Sequence, residues 1–218
     1  MGFDLGLIVK SIPLLLKGVL VTLEISLLGI LVGVTFGLTL ASFRLSGYKV
    51  LDLPTRLLIN FLRGVPFFIQ ILIVYYSISS MGVTIPAFVS GMLAMALNTG
   101  AFQAETWRAG IQSVPRGQTE AAAALGLSSW QTFRRIVLPQ VVAKVLPSIT
   151  NEFVILLKNS SLVSVIAVVE LTRIGQQIVS TTYRPAEIYI TVALLYLVMN
   201  VLIAQASKYL EKHVAVYR

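Results

Sequence analysis

Cysteine is absent from this 218-residue chain, which excludes disulfide bridges and thiolate metal sites and leaves the redox compartment unread. Charge is scarce: Asp, Glu, Lys and Arg make up 12% of the residues, against roughly a quarter in a soluble domain. Histidine occurs once, as His213, and beside Lys208, Glu211 and Lys212 it reads as a solvated side chain rather than a ligand or a base. The apolar part of the chain therefore has no conventional base to activate its many serines and threonines. A GxxxxGK[ST] phosphate loop is missing, so the polypeptide is not expected to bind ATP through that motif. Paired catalytic carboxylates, a metal-ligand cluster and a GxSxG elbow are missing too. These absences point to a chain with no catalytic residues, no metal and no cofactor of its own.

What is present is apolar: 56% of the residues are hydrophobic and the mean hydropathy is +0.86, the composition of an integral membrane protein. A net charge of +8 could suggest nucleic acid, but the basic residues lie in short clusters between apolar runs, where they set orientation in a bilayer, and no nucleic-acid partner is expected. The N-terminal stretch, with Asp4 ahead of its basic residues and no small-residue cleavage site, reads as retained rather than as a signal peptide.

A crossing helix needs about 20 apolar residues. Five segments qualify: Val19 to Phe43, Leu57 to Ser79, Ala87 to Ile111, Val141 to Leu157 and Ile188 to Ala206. The expected fold is thus all-α and integral to the membrane, one domain over residues 1–218 with five transmembrane helices. The apolar piece from Leu162 to Val169 is too short to cross and reads as a span end or a re-entrant segment. With the N-terminus outside and the C-terminus inside, the inner side carries Arg44, Lys49, Arg56, Arg108, Arg116, Arg134, Arg135, Lys208, Lys212 and Arg218. The outer side then has only Lys10, Lys17, Lys158, Arg173 and Arg184, with Arg63 and Lys144 inside spans, as the positive-inside bias requires. Gly29, Gly33 and Gly37 recur every four residues and allow close helix packing, within one chain or between subunits. Pro66 and Pro147 are expected to kink their spans.

Residues 115–139 stand apart as a charged, alanine-rich loop on the inner side. Pro115 suits the first position of a helix, Glu120 and four alanines favour helix, and Gly126 fits its end. Ser128 or Ser129 can cap a second helix through Trp130, Phe133, Arg134 and Arg135 until Pro139 begins the next span. Such a hairpin packs either on this chain's own helix ends or on a separate cytoplasmic protein.

Glu120, Ala121, Ala122, Gly126, Ile136, Leu138 and Pro139 stand at the spacing of the EAA loop, and the chain here resembles the membrane subunits of bacterial ABC importers. GVLVTLEISLLG at 18–29, RGVPFFIQILIVYY at 63–76, NTGAFQAETWRAGI at 98–111 and NEFVILLKNSSLVSVI at 151–166 are similar to the polar amino acid permeases. The resemblance implies a type I ABC importer permease in the bacterial cytoplasmic (inner) membrane. It implies a cytoplasmic coupling helix seated in a cleft of the ATP-hydrolysing subunit, with Glu120, Ala121, Ala122, Gly126, Trp130, Phe133, Leu138 and Pro139 at that contact. The implied partners are ABC ATPase subunits holding ATP and Mg, a second permease copy or related chain, an extracytoplasmic substrate-binding protein, the amino acid substrate and membrane lipid. The alternative is an ion-coupled secondary amino acid transporter, although no convincing internal repeat supports it.

Charged groups at membrane depth are costly, and each calls for a role. Glu105 and Arg108 are three residues apart and can pair with each other. Glu152 and Lys158 lie six residues apart, about 1.7 turns, on roughly opposite faces of a regular helix, so a third charged group can sit between them if the helix unwinds near Asn159. Glu152 is then expected to receive an amino or guanidinium group, and Lys158 or the backbone amides of Asn159, Ser160 and Ser161 a carboxylate. Asn98 would add a neutral hydrogen bond. The resemblance favours a cavity between the third and fourth spans, and the lone Glu152 favours arginine, lysine or histidine.

Overall fold

The structure, a computed structural model, describes residues 3–214; Arg218, counted above with the basic tail, lies outside them. Among the described residues every regular element is helical. The chain runs through α1 (Leu5–Leu45), α2 (Lys49–Gly64), α3 (Phe67–Ser80), α4 (Ala87–Gln112), α5 (Arg116–Ala124), α6 (Ser129–Ile166), α7 (Leu171–Thr182) and α8 (Pro185–Val214). By length and apolarity α1, α6 and α8 can each cross a membrane, and α2 with α3, bent by 111°, makes a fourth candidate. At 26 residues α4 is long enough to cross, but Asn98, Thr99, Gln103, Glu105 and Arg108 lower its apolarity.

Two expected spans take a different form. The first begins far ahead of Val19, at Leu5, where Asp4 caps α1 by accepting a hydrogen bond from the Leu7 amide at 3.0 Å. The second, expected as one kinked helix from Leu57 to Ser79, is two helices. Pro66 has no amide to continue α2 and forces the residue before it out of the helical region, so Val65 is extended, with φ −90° and ψ 132°. At Pro147, by contrast, the helical run Leu138–Asn159 continues without interruption. Of the short piece Leu162 to Val169, the part up to Ile166 continues α6: the helix tightens to 3-10 over Ser160–Ile166 and stops at Ala167, φ 63°.

Between apolar helices in lipid, burial of hydrocarbon provides little driving force, and close backbone approach takes its place. The glycine ridge of α1 does this within the chain. A Cβ built on Gly29 would lie 3.2 Å from Met95 Cβ, on Gly33 2.9 Å from Thr99 Cβ, and on Gly37 2.7 Å from Gln103 Cβ. The numbering rises along both helices, so α1 and α4 run parallel. Gly91 against Val163 and Gly110 against Val145 set α6 antiparallel to α4. Outward rows such as Leu20, Leu31, Leu197 and Leu202 stay exposed, as side chains facing lipid do.

At the end away from residues 115–139, α7 is pinned between α1 and α8. Glu170, fully buried, caps α7 by accepting from the Thr172 and Arg173 amides at 2.9 and 2.7 Å, and Tyr196 Oη donates to it at 2.8 Å. Burial holds the Glu170 carboxyl above its ordinary range, and these hydrogen bonds offset only part of that rise. The Leu171 amide donates to Thr22 Oγ1 at 3.2 Å, tying α7 to α1.

The ridge gives a direct test. Gly37→Val sets a branched Cβ 2.7 Å from Gln103 Cβ and 2.8 Å from the Gly100 carbonyl oxygen and is expected to destabilise by about 1–3 kcal/mol, read as a lower melting temperature of the purified protein in detergent. Gly117→Ala, with open space around its Cβ, is expected to leave the melting temperature unchanged or slightly raised.

Candidate functional site

The break between α2 and α3 opens a cavity of about 400 Å³ against α4 and α6, lined by Arg63, Gly64, Val65, Pro66, Phe67, Asn98, Phe102, Glu152, Ile155 and Asn159. Gln70 holds the break. Only 4% exposed, its amide nitrogen donates to the Leu62 and Val65 carbonyls at 2.7 and 2.8 Å, groups that the end of α2 leaves without helical partners. Its Oε1 accepts from Asn98 Nδ2 at 3.3 Å, so one side chain closes the kink and orients a cavity wall. Arg63, in the last turn of α2 where a cation meets the negative end of the helix, lies 5.2 Å from the centre of the Phe102 ring, within cation–π range.

Three of the six expected substrate residues, Asn98, Glu152 and Asn159, line this cavity. Glu152, Ile155 and Asn159 fall at positions i, i+3 and i+7, one face of α6. The other three are elsewhere. Six residues from Glu152, Lys158 is about 120° around the helix and exposed, outside the cavity walls. Ser160 is fully buried and donates to the Leu157 carbonyl at 2.7 Å, and Ser161 donates to the Lys158 carbonyl at 2.8 Å. The helix tightens at Ser160 rather than unwinding at Asn159. Sequence reasoning overlooked Arg63, Phe102 and Gln70; the signal for Arg63 was its charge within an apolar run. Thr99 and Gln103 are buried against α1. The cavity thus presents one guanidinium, one carboxyl and two amides, a set that can hold a small zwitterion.

The second candidate element is the hairpin at 115–139. Pro115 stands one residue ahead of α5, extended at φ −60° and ψ 133°, instead of inside its first turn. Gly126, at φ +77°, ends the helix: its amide donates to the Ala123 carbonyl and the Leu127 amide to that of Ala122, at 3.0 and 3.1 Å, the paired bonds of a Schellman stop. Of the two candidate caps it is Ser128 that serves, in a reciprocal capping box with Gln131. Ala122 is buried, whereas Glu120, Ala121 and Gly126 are exposed. Leu125 is 80% and Trp130 66% exposed, and Trp130 stacks on Phe133 with ring centres 6.1 Å apart.

No new span begins at Pro139. The second hairpin helix runs into the body of α6 through a π turn at Phe133–Val137, with Leu138 and Pro139 half-buried inside it. Proline cannot supply the amide owed to the carbonyl four residues back, Arg135, and the wider turn lies over that position. Lys144 Nζ donates to the Ser113 carbonyl and hydroxyl at 3.1 and 3.0 Å, and Gln140 Nε2 donates to Gln118 Oε1, fastening the hairpin to α6. A cavity of about 650 Å³ lies beneath it, lined in part by Gln112, Arg116, Thr119 and Phe133.

Residues 12–216 match the family model described as "Binding-protein-dependent transport system inner membrane component". The chain belongs to that family. Among its curated relatives, the octopine transport system permease protein OccM of Rhizobium radiobacter is 36% identical over 97% of this chain and 90% of that protein. The glutamine transport system permease protein GlnP of Escherichia coli K12 is 34% identical over 99% of this chain and all of that one. A solved structure titled as an amino acid ABC transporter with histidines is 38% identical, covers 98% of this chain and 100% of its own, and superposes with a TM-score of 0.90. The inward facing MetNI methionine ABC transporter shares the fold, with a TM-score of 0.73 at 20% identity over 97% of this chain and 99% of its own. The permease therefore has the type I ABC importer fold, and its relatives are transport subunits rather than enzymes.

Gln70→Leu in this permease keeps the bulk and removes both donors at the break. An unpaired buried carbonyl costs about 1–3 kcal/mol, so a lower melting temperature and slower uptake are expected from differential scanning fluorimetry and a vesicle transport assay. An unchanged melting temperature would mean that Pro66 alone holds the bend.

Proposed function

We propose that the chain is the permease subunit of an ATP-driven importer that carries a polar amino acid through the cavity at the α2–α3 break. The observation carrying this reading is the juxtaposition of Arg63, Glu152 and two amides in one cavity of a chain whose relatives are amino acid and opine permeases. Arg63 takes the substrate carboxylate, the part expected above of Lys158 or the backbone amides of Asn159, Ser160 and Ser161. Glu152 takes the cationic group, and Asn98 and Asn159 complete the hydrogen bonding. Glu152 favours a basic substrate such as arginine, lysine or histidine.

In this reading α4 also crosses the membrane, giving five spans with the N-terminus outside, the C-terminus inside and the hairpin in the cytoplasm. Two copies, or this chain and a related one, form the pathway. ABC ATPase subunits bind ATP and Mg, and an extracytoplasmic binding protein delivers the amino acid. The exposed surface of Glu120, Ala121, Leu125 and Trp130 meets the ATPase, and movement of its subunits drives the hairpin between two states of the pathway. Family membership leaves the ion-coupled alternative without support.

ATP hydrolysis by the complete transporter in liposomes, with its binding protein and arginine, lysine, histidine, glutamine or glutamate, tests this reading. Stimulation by basic amino acids is expected, with a loss of about tenfold or more, 1.4 kcal/mol, in Glu152→Gln. Hydrolysis indifferent to every amino acid, or a Glu152→Gln transporter with unchanged substrate preference, would remove the substrate assignment.

A further inference from the structure

The hairpin end of α1, α2 and α4 holds a second polar cluster, separate from the substrate cavity. Arg44, in the last turn of α1, donates through Nε to Asp52 Oδ1 in the first turn of α2. Through Nη1 it donates to Glu105 Oε1 on α4 at 2.9 Å. Glu105 Oε2 in turn accepts from Arg108 Nε and Nη2 at 2.9 and 2.7 Å. Arg108 Nη1 then donates to Gln112 Oε1 at 2.8 Å. Gln112 closes α4 and lines the cavity beneath the hairpin. Two guanidiniums and two carboxylates balance. The four side chains are 15–40% exposed, so solvent screens them only in part, and the forked Arg108–Glu105 contact fixes orientation as well as charge.

The pair expected from sequence, Glu105 with Arg108, is therefore one link of a chain that runs from the hairpin base to α2. Eleven residues beyond Asp52, three turns or about 16 Å along the same helix, α2 ends with Arg63 in the substrate cavity. One helix, unbroken through Pro54, has its first turn in the ionic junction and its last turn at the substrate. The geometry points to α2 as the connecting rod between hairpin and cavity. Arg44 is the positioning residue that engages it: a displacement of α4 and the hairpin shifts Glu105, Arg44 carries the shift to Asp52, and α2 moves Arg63 on or off the substrate. Arg44 touches no substrate and acts only through Arg63. This inference rests on the importer reading above, in which the hairpin is driven by an ATPase.

The test uses the complete reconstituted transporter with Arg44→Gln, Asp52→Asn, Arg44→Lys and, as a hairpin control, Gly126→Val. Three quantities are read: ATPase co-purification, basal ATP hydrolysis, and stimulation by arginine and by glutamine with binding protein present. Arg44→Gln and Asp52→Asn are expected to co-purify with the ATPase and keep basal hydrolysis, while stimulation falls about tenfold. Arg44→Lys, which keeps the charge, is expected to recover part of it. Full stimulation in Arg44→Gln, beside a Gly126→Val control that has lost it, overturns the rod alone. Failure of both Arg44→Gln and Asp52→Asn to assemble overturns it too, since the junction would then serve folding only. If the wild-type transporter responds to no amino acid, the importer reading falls and the rod with it.

Discussion

The fold depends on how closely two backbones can approach in a medium without water. Gly29, Gly33 and Gly37 meet Met95, Thr99 and Gln103 at a constant numbering difference, so a single register fixes α1 beside α4 over about two turns. Side chains larger than hydrogen would push the helices apart, and lipid, as apolar as leucine, would give no compensating attraction. Everything polar on α4 takes its direction from that register. Thr99 and Gln103 are held inward, which turns Asn98, one residue and about 100° away, toward the cavity. Farther along, Glu105 and Arg108 come level with the end of α1.

A bent span solves a problem of unpaired backbone and creates an opportunity at the same time. In hydrocarbon, irregular backbone is tolerated only where it is buried in protein or lines a cavity, and the Gly64–Pro66 break does both. Gln70 satisfies the loosened carbonyls, and the space left beside the bend admits Arg63 and Glu152. The cavity is thus a by-product of the residue that breaks the helix, and the same bend lets α2 start at the hairpin end and finish at the cavity.

The hairpin was legible in the sequence because its signals are local: alanine propensity, the glycine at φ +77° and the serine cap depend on neighbours within four residues. The spans were legible as composition, but composition does not see direction, and a 111° bend leaves the hydropathy of residues 57–79 unchanged. Pro66 was read as a kink because proline alone does not say whether tertiary packing tolerates a full break; Gln70 decides that, from eight residues beyond Leu62. That Glu152, Asn98 and Asn159 share one cavity wall was legible because polar groups at membrane depth are conspicuous. Lys158 was misjudged by supposing that the helix unwinds at Asn159, when its phase had already placed it off the Glu152 face. Arg63 escaped because only the fold brings the end of α2 to α6. The amphipathic α7, too short to cross, left no hydropathy signal, and its anchor Glu170 is explained by a tertiary hydrogen bond to Tyr196.

The length of α1 has a consequence for the membrane itself. Its 41 residues extend about 61 Å at 1.5 Å per residue, twice the roughly 30 Å of a hydrocarbon core. Even at a tilt of about 40°, a third of the helix lies beyond that core. The stretch free of charge, Ile25 to Phe43 between Glu24 and Arg44, covers about 28 Å, close to one bilayer. A thicker bilayer draws Glu24 or Arg44 toward hydrocarbon, and a thinner one bares leucines to water. Bilayer thickness thereby bears on both ends of this uncharged stretch, one of which is the arginine that joins α1 to α2.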